Sequence, residues 1–404
     1  MDHRRPPHQY QHYIVLLLSF IFFFDFGSTS GVFRVQRKYT GRTHISDLRA
    51  HDARRHGRIL SSSAAGAVDI PLGGIGLPTK TGLYYAQIGI GTPSKPYHVQ
   101  VDTGSDILWV NCITCKHCPK KSDLGIQLSL YDLNKSSSAY IVSCDANFCS
   151  SAYGGEIPGC VHDVPCLYTL EYGDGSSTTG YFVTDNVQYS QVSGDHQTKV
   201  LNASVTFGCG AQLSGDLGSS TEAVDGILGF GQSNTSMLSQ LASAGKVRKV
   251  FSHCLDTKRG GGIFAIGQVV QPKVKTTPLV PNMPHYNVIL KSIQVGATFL
   301  KIPIDTFKTG DKKGTIIDSG TTLVYLPEQA FNPVMNAIFS YQPGLRFENI
   351  QDFLCFKFSA RVDDGFPIIT FHFEDSLELP VYPHDYFFTV GNIDHNDTTM
   401  LWRN

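Results

Sequence analysis

The sequence predicts a mostly-β protein, and three observations carry that reading. Glycine (39 of 404 residues), serine and threonine are plentiful between short runs of β-branched and aromatic residues. Helix-period patterns are rare. One sequence phrase also occurs twice. Val101-Asp102-Thr103-Gly104-Ser105-Asp106-Ile107-Leu108-Trp109-Val110 takes an apolar strand into an acid on a glycine-turned loop and out into a second apolar strand. Ile316-Ile317-Asp318-Ser319-Gly320-Thr321-Thr322-Leu323-Val324-Tyr325-Leu326 repeats it slot by slot. A lone Asp-Ser/Thr-Gly arises by chance in roughly one in five chains of this size, so the weight lies in the repetition within one apolar frame. With 41% hydrophobic residues and a net charge of −1, the chain can bury a large core, divided between two domains.

The front of the chain reads as processing segments. Arg4 and Arg5 precede an apolar run over 14–24 and the small residues Gly27, Ser28, Thr29 and Ser30, the pattern of a secretory signal spanning 1–30. That run is far shorter than the roughly 20 residues a membrane-spanning helix needs, and no other stretch approaches that length, so a soluble product is expected. Residues 31–67 are rich in arginine, with Arg34, Arg37, Arg42, Arg49, Arg54, Arg55 and Arg58. They read as a basic propeptide that pairs with an acidic cleft, and the acidic body left without them argues against nucleic acid as a partner.

The segment 83–93, Leu-Tyr-Tyr-Ala-Gln-Ile-Gly-Ile-Gly-Thr-Pro, alternates as a strand and stops at a Gly-Thr-Pro turn, after which 96–101 lead straight into Asp102. From about Gly82 onward the chain resembles a pepsin-like aspartic endopeptidase, and the cysteine-rich stretch after Trp109 is similar to the nepenthesin-type plant branch. The resemblance implies a bilobal pepsin-like acid protease fold with a cleft between two pseudo-symmetric β lobes. The first lobe would span 68–271 with one catalytic Asp and the flap. A linker rich in Pro, Lys and Thr would follow at 272–284, and the second lobe, with the other catalytic Asp, at 285–404. It further implies Asp102 and Asp318 as the catalytic pair, protein or peptide substrates, the chain's own propeptide as a partner, no cofactor or metal, a monomer without membrane attachment, and delivery through the secretory pathway to the apoplast or vacuole.

Cys112, Cys115 and Cys118 with His117 have the spacing of a zinc or iron–sulfur set, but a secretory route favours disulfides. Together with Cys144, Cys149, Cys160, Cys166 and Cys209 they allow on the order of a hundred pairings, so connectivity stays open. Leu170-Glu171-Tyr172-Gly173-Asp174-Gly175-Ser176 reads as a hairpin tip. Taken alone it is a surface turn; the resemblance makes it the flap over the substrate, with Tyr172 as its aromatic and Trp109 as the partner that holds it. Asp225-Gly226-Ile227-Leu228-Gly229-Phe230-Gly231 reads as a buried strand ending in glycines, which by resemblance braces the first Asp loop. Strands follow over 247–255 and 263–267, with a tight turn at Arg259-Gly260-Gly261-Gly262, and 285–300 open the second lobe. Asn134, Asn202, Asn234 and Asn396 head glycosylation sequons.

Two carboxylates brought face to face cannot both stay charged, a general property of aspartic-protease dyads rather than one read from this chain. The charged member can take a proton from a water held between them while the protonated one donates to the scissile carbonyl, with no covalent intermediate. Gly104 and Gly320 allow close backbone approach, Thr103 and Ser319 supply hydroxyls that can bond across the lobes, and Ser105 and Thr321 orient the carboxylates. No Gly-x-Ser-x-Gly elbow or His-Glu-x-x-His motif offers another route. His253 beside Cys254 reads as a structural cysteine with a neighbour, not a thiol enzyme. After Phe388 the family pattern would continue with a cysteine, a second apolar-apolar-Gly segment and closing strands. This sequence instead runs through 391–398 to Leu401-Trp402-Arg403-Asn404. The expectation is a second lobe truncated at its C-terminus and low in stability, with Cys254 and Cys355 paired to each other or left unpaired. The competing reading is therefore a catalytically impaired or inert pepsin-like binding or inhibitor protein.

Overall fold

The computed structural model describes residues 67–77, 82–192, 198–219, 221–257, 259–267, 274–310, 313–350, 353–388 and 397–400. The expected signal and nearly all of the expected propeptide lie outside them, as do Asn396 and 401–404.

The first lobe is one large sheet. Its strands are β1 (Ala67–Ile75), β2 (Leu83–Ile90), β3 (Lys95–Asp102), β4 (Leu108–Lys116), β5 (Tyr140–Ile141), β6 (Leu167–Glu171), β7 (Ser177–Val192), β8 (Thr198–Ser214), β9 (Gly226–Gly229), β10 (Phe251–Leu255) and β11 (Gly262–Ile266). Their order is β10-β11-β1-β2-β3-β9-β4-β8-β7-β5, with β6 paired to β7. The two-residue alternation explains the register: in β2, Ala86, Ile88 and Ile90 point into the core while Gln87 faces out. The long β7–β8 hairpin pairs Ser177 with Ser214 at one end and Val192 with Thr198 at the other. Two apolar clusters fill this lobe, a large one around Tyr97, Tyr131, Phe207 and Phe264 and a smaller one around Trp109, Tyr168 and Phe182 beneath the cysteine-rich loops.

The second lobe opens with β12 (Asn287–Val288), β13 (Leu290–Val295), β14 (Thr298–Phe299) and β15 (Thr315–Ile316). β12 pairs with β15, and β13 lies between β14 and the strand Ile369–Phe373. Asp397–Met400 pairs with Phe353–Lys357 and Phe387–Phe388. A separate core forms around Ile293, Val334, Ile338, Phe356 and Ile369.

Two local readings change. The strand expected from 247 starts at Phe251: Val247 is buried, but it follows the turn that ends helix α1 (Met237–Ser243), so the apolar run spans two structural contexts. Helix α2 (Glu328–Phe339) carries Ala330, Val334, Met335 and Ile338 on its buried face. Pro333 lies inside it and masks the helical signal, because proline ordinarily interrupts a helix interior.

The thiols resolve the connectivity that spacing left open. Among the described residues the disulfides are Cys112–Cys209, Cys115–Cys118, Cys144–Cys160 and Cys149–Cys166. The candidate metal-ligand triplet is thus consumed in two of them. Cys254 is an exposed free thiol, so it is not bonded to the buried Cys355.

Candidate functional site

Asp102 ends β3, and its position is fixed by β9. This short strand runs parallel to β3, pairing Asp102 with Gly229, and antiparallel to β4, pairing Leu108 with Leu228. Beyond it the chain stays attached to the acidic loop: the Phe230 amide donates to the Asp102 carbonyl at 2.7 Å and the Gly231 amide to that of Ser105 at 2.8 Å. Asp318 follows β15, and the residue before it, Ile317, donates its amide to the Tyr286 carbonyl at 3.1 Å.

The structure brings the two acids together. Within each loop the same bonds recur. The Gly104 and Gly320 amides donate to Asp102 Oδ1 and Asp318 Oδ1, both at 2.8 Å. The Ser105 hydroxyl donates to Asp102 Oδ2, and the Thr321 hydroxyl to Asp318 Oδ2 at 2.5 Å. Between the loops, the Ser319 amide donates to Thr103 Oγ1 at 2.8 Å, the Ser319 hydroxyl to the Val101 carbonyl at 3.2 Å, and the Thr103 hydroxyl to Asp318 Oδ1 at 3.5 Å. Each acid lies over the opposing glycine. A Cβ at Gly104 would collide with the Asp318 carboxylate and one at Gly320 with that of Asp102, so a side chain at either position would force the pair apart.

Burial, and then the adjacent Asp318 carboxylate, push Asp102 up to about 6, against the opposing pull of its Ser105 and Gly104 donors. The two loops differ in their surroundings. Val101, Leu108, Trp109 and Val110 are at most 2% exposed, whereas Ile316, Ile317, Val324 and Tyr325 are 45–56% exposed. The reason is β9. It lies between the strands that enter and leave the first loop, while among the described residues β15 pairs only with β12.

The tip expected at Tyr172 lies between β6 and β7. Asp174 Oδ1 accepts from the Ser176 amide at 2.9 Å and from its hydroxyl at 2.7 Å, and Gly175 takes a left-handed φ of 82°. Gly173 sits in the same turn with open space around it. Trp109 Nε1 donates to the Tyr172 hydroxyl at 2.7 Å. Asn134, Asn202 and Asn234 are exposed.

Several residues of this region were not singled out in the sequence. Asp106, where the repeat has Thr322, accepts from the Ser233 amide at 2.9 Å, and burial raises its pKa against the charges of His285 and Lys249. Gln232 and Tyr286 join the segment after β9 to the second lobe. Only the mismatch between Asp106 and Thr322 was visible in the repeat. The carbonyls to which the Gln232 and Tyr286 side chains donate lie more than 50 residues away.

The chain is similar to known proteins over nearly its whole described length. Residues 84–268 match the model of the xylanase inhibitor N-terminal domain and 285–393 that of the C-terminal domain. It is 47% identical to aspartic proteinase 36 of Arabidopsis thaliana, over 93% of this chain and 77% of that protein, and 46% identical to aspartic proteinase 39 of the same plant over the same shares. Similarity to aspartic proteinase nepenthesin-2 of Nepenthes gracilis is more distant, 32% over 63% of this chain and 55% of that protein, so the nepenthesin-type likeness is only loose. The fold matches edgp, with a TM-score of 0.64 at 20% identity over 84% of this chain and 87% of that one. It also matches basic 7S globulin from soybean, with a TM-score of 0.62 at 20% identity over 84% and 88%. A duplicated Asp loop on paired β lobes, together with these relatives, means that the chain belongs to the pepsin-like aspartic proteinase family of plants.

Proposed function

We propose that this protein is an aspartic-type endopeptidase that hydrolyses peptide bonds at acidic pH through a water activated by Asp102 and Asp318. The observation that carries the reading is the reciprocal geometry of the two loops, in which each carboxylate is held by its own amide and hydroxyl and lies over the other loop's glycine. Asp102, the more buried acid, keeps the proton and donates it to the scissile carbonyl. Asp318 takes a proton from the water as it adds, giving a tetrahedral diol. As the C–N bond breaks, Asp318 passes its proton to the leaving amine and Asp102 recovers one from a diol hydroxyl, which leaves the acid product and restores the pair. Thr103, Ser105, Ser319 and Thr321 hold the carboxyl planes, and Tyr172, fixed by Trp109, closes the flap hairpin with Gly173, Asp174 and Gly175 over an extended peptide. In this reading residues 31–67 are the propeptide that keeps the cleft closed before processing, and the mature chain acts in the secretory pathway or beyond. No described helix is long and apolar enough to cross a membrane.

A second reading is a binding or inhibitor protein on the same scaffold. The exposed frame around Asp318 favours it, as does the match to domains described from a xylanase inhibitor. Cleavage of a denatured protein substrate across pH 2.5–7, with and without a statine-type inhibitor, separates the two, the pH window following from the carboxyl pair. The peptidase reading expects acid cleavage that the inhibitor blocks and that Asp102→Asn and Asp318→Asn each abolish. Cleavage that survives either substitution would remove the pair from the mechanism, and no cleavage by the processed chain would favour the binding reading.

A further inference from the structure

The bonds that Thr103 and Ser319 make across the two acidic loops are not the only link between them. Residues 230–233, leaving β9, are bonded on both sides. Toward the first loop, the amides of Phe230, Gly231 and Ser233 donate to the Asp102 carbonyl, the Ser105 carbonyl and Asp106 Oδ1 at 2.7, 2.8 and 2.9 Å. Toward the second lobe, the Tyr286 hydroxyl donates to the Phe230 carbonyl at 2.6 Å. Gln232 Nε2 donates to the carbonyls of His285 at 2.5 Å and Met283 at 3.3 Å. The Tyr286 carbonyl in turn accepts from the Ile317 amide, one residue before Asp318. Three hydrogen bonds through Phe230 and Tyr286 thus connect the backbone of one aspartate to that of the other, along a path separate from the hydroxyl bonds.

We propose that Tyr286, assisted by Gln232, is a positioning residue that fixes the separation of Asp102 and Asp318 by tying both loops to residues 230–233. One set of bonds between two lobes acts as a hinge. A second set, anchored elsewhere, removes the remaining rotation, and a carboxyl pair sharing one proton is sensitive to small changes in separation. Tyr286 suits the part. Its ring packs edge-on against Phe251 with centroids 5.4 Å apart. Burial, and then Asp106, push its phenol up to about 12, so it remains a donor throughout the acid range. The charged groups around this strut are Asp106, His285 and Lys249, whose Nζ donates to the Gln232 carbonyl at 3.3 Å.

The consequence for rate rests on the peptidase reading, but the consequence for the carboxyl pair does not. The test compares Tyr286→Phe, Gln232→Met and the double variant with the wild type in the processed protein. Carboxyl-carbon NMR titration of labelled aspartates follows the pair, and peptide hydrolysis against pH follows the rate. Like-charge repulsion weakens with distance, so the upper apparent pKa of the pair should fall by roughly 0.5–1 unit in the double variant. The alkaline limb of kcat should move with it, while kcat drops about tenfold and KM changes by less than about twofold. A fold that is merely less stable, with the pair's titration and kcat per folded molecule unchanged, would overturn the proposal. A wild type that cleaves nothing, but whose pair titrates and shifts in the variants, would uphold the strut and defeat the peptidase reading instead.

Discussion

Asp102 and Asp318 are the same residue in two surroundings, and the difference has a measurable consequence. Asp102 is 6% exposed and held up to about 6 from an ordinary 3.8, so the folded protein binds that proton more tightly than the unfolded chain does. The associated stability is therefore fully present below about pH 3.8 and is lost as pH rises through about 6. Asp102→Asn removes this dependence. Relative to wild type the variant should gain about 3 kcal/mol between pH 3 and pH 7, read by urea unfolding at the two pH values. An equal difference at both would show that Asp102 is not held protonated. Tyr172 offers a second test at this level. Tyr172→Phe leaves the indole N–H of the buried Trp109 without its 2.7 Å acceptor. On the peptidase reading, kcat/KM for peptide hydrolysis should fall about tenfold with both limbs of the pH profile unmoved. Unchanged hydrolysis would take Tyr172 out of the proposed flap.

Among the elements, β9 does the most with the fewest residues. It inserts between β3 and β4, places Leu228 at 0% exposure between them, and passes on into residues 230–233. Leu228→Ala should cost about 2–5 kcal/mol of stability through the cavity it leaves, measured by chemical denaturation. Because that cavity lies beside the loop, activity per folded molecule should fall as well. A loss below about 1 kcal/mol would mean that β9 is not packed as described. The strand reads clearly in the sequence, since an unbroken apolar core between glycines has little else to be. Helix α2 does not. Its buried positions are spaced for a helix face, but Pro333 breaks the pattern that a local reading relies on, and packing of that face against the second core outweighs the local cost.

For the molecule as a whole, cross-linking is concentrated in the first lobe. Cys112–Cys209 joins β4 to β8 across 97 residues, while Cys115–Cys118 closes a loop of only 3. Limiting the unfolded chain should make the first worth about 4–5 kcal/mol and the second about 1–2 kcal/mol, testable by paired Cys→Ala replacement and thermal unfolding. Equal losses would show that strain or residual structure, not loop closure, sets their effect. The second lobe has its own core of aromatic and aliphatic side chains, and among the described residues it contains no such bond. The Asp318 frame is correspondingly the more solvated side of the site.

What could be read without coordinates was local or repeated: alternation along strands, a hairpin tip at Tyr172, and above all the second writing of the Asp-Thr/Ser-Gly phrase, since a repeat encodes its own partner. Pairings between distant residues stayed open. Disulfide connectivity, the raised pKa of Asp102 and the Phe230–Tyr286 link all depend on which side chains meet after the chain has closed over long separations. Hydrogen bonding and desolvation act over a few ångströms of space, whatever the distance along the chain, so these features exist only once the lobes have assembled.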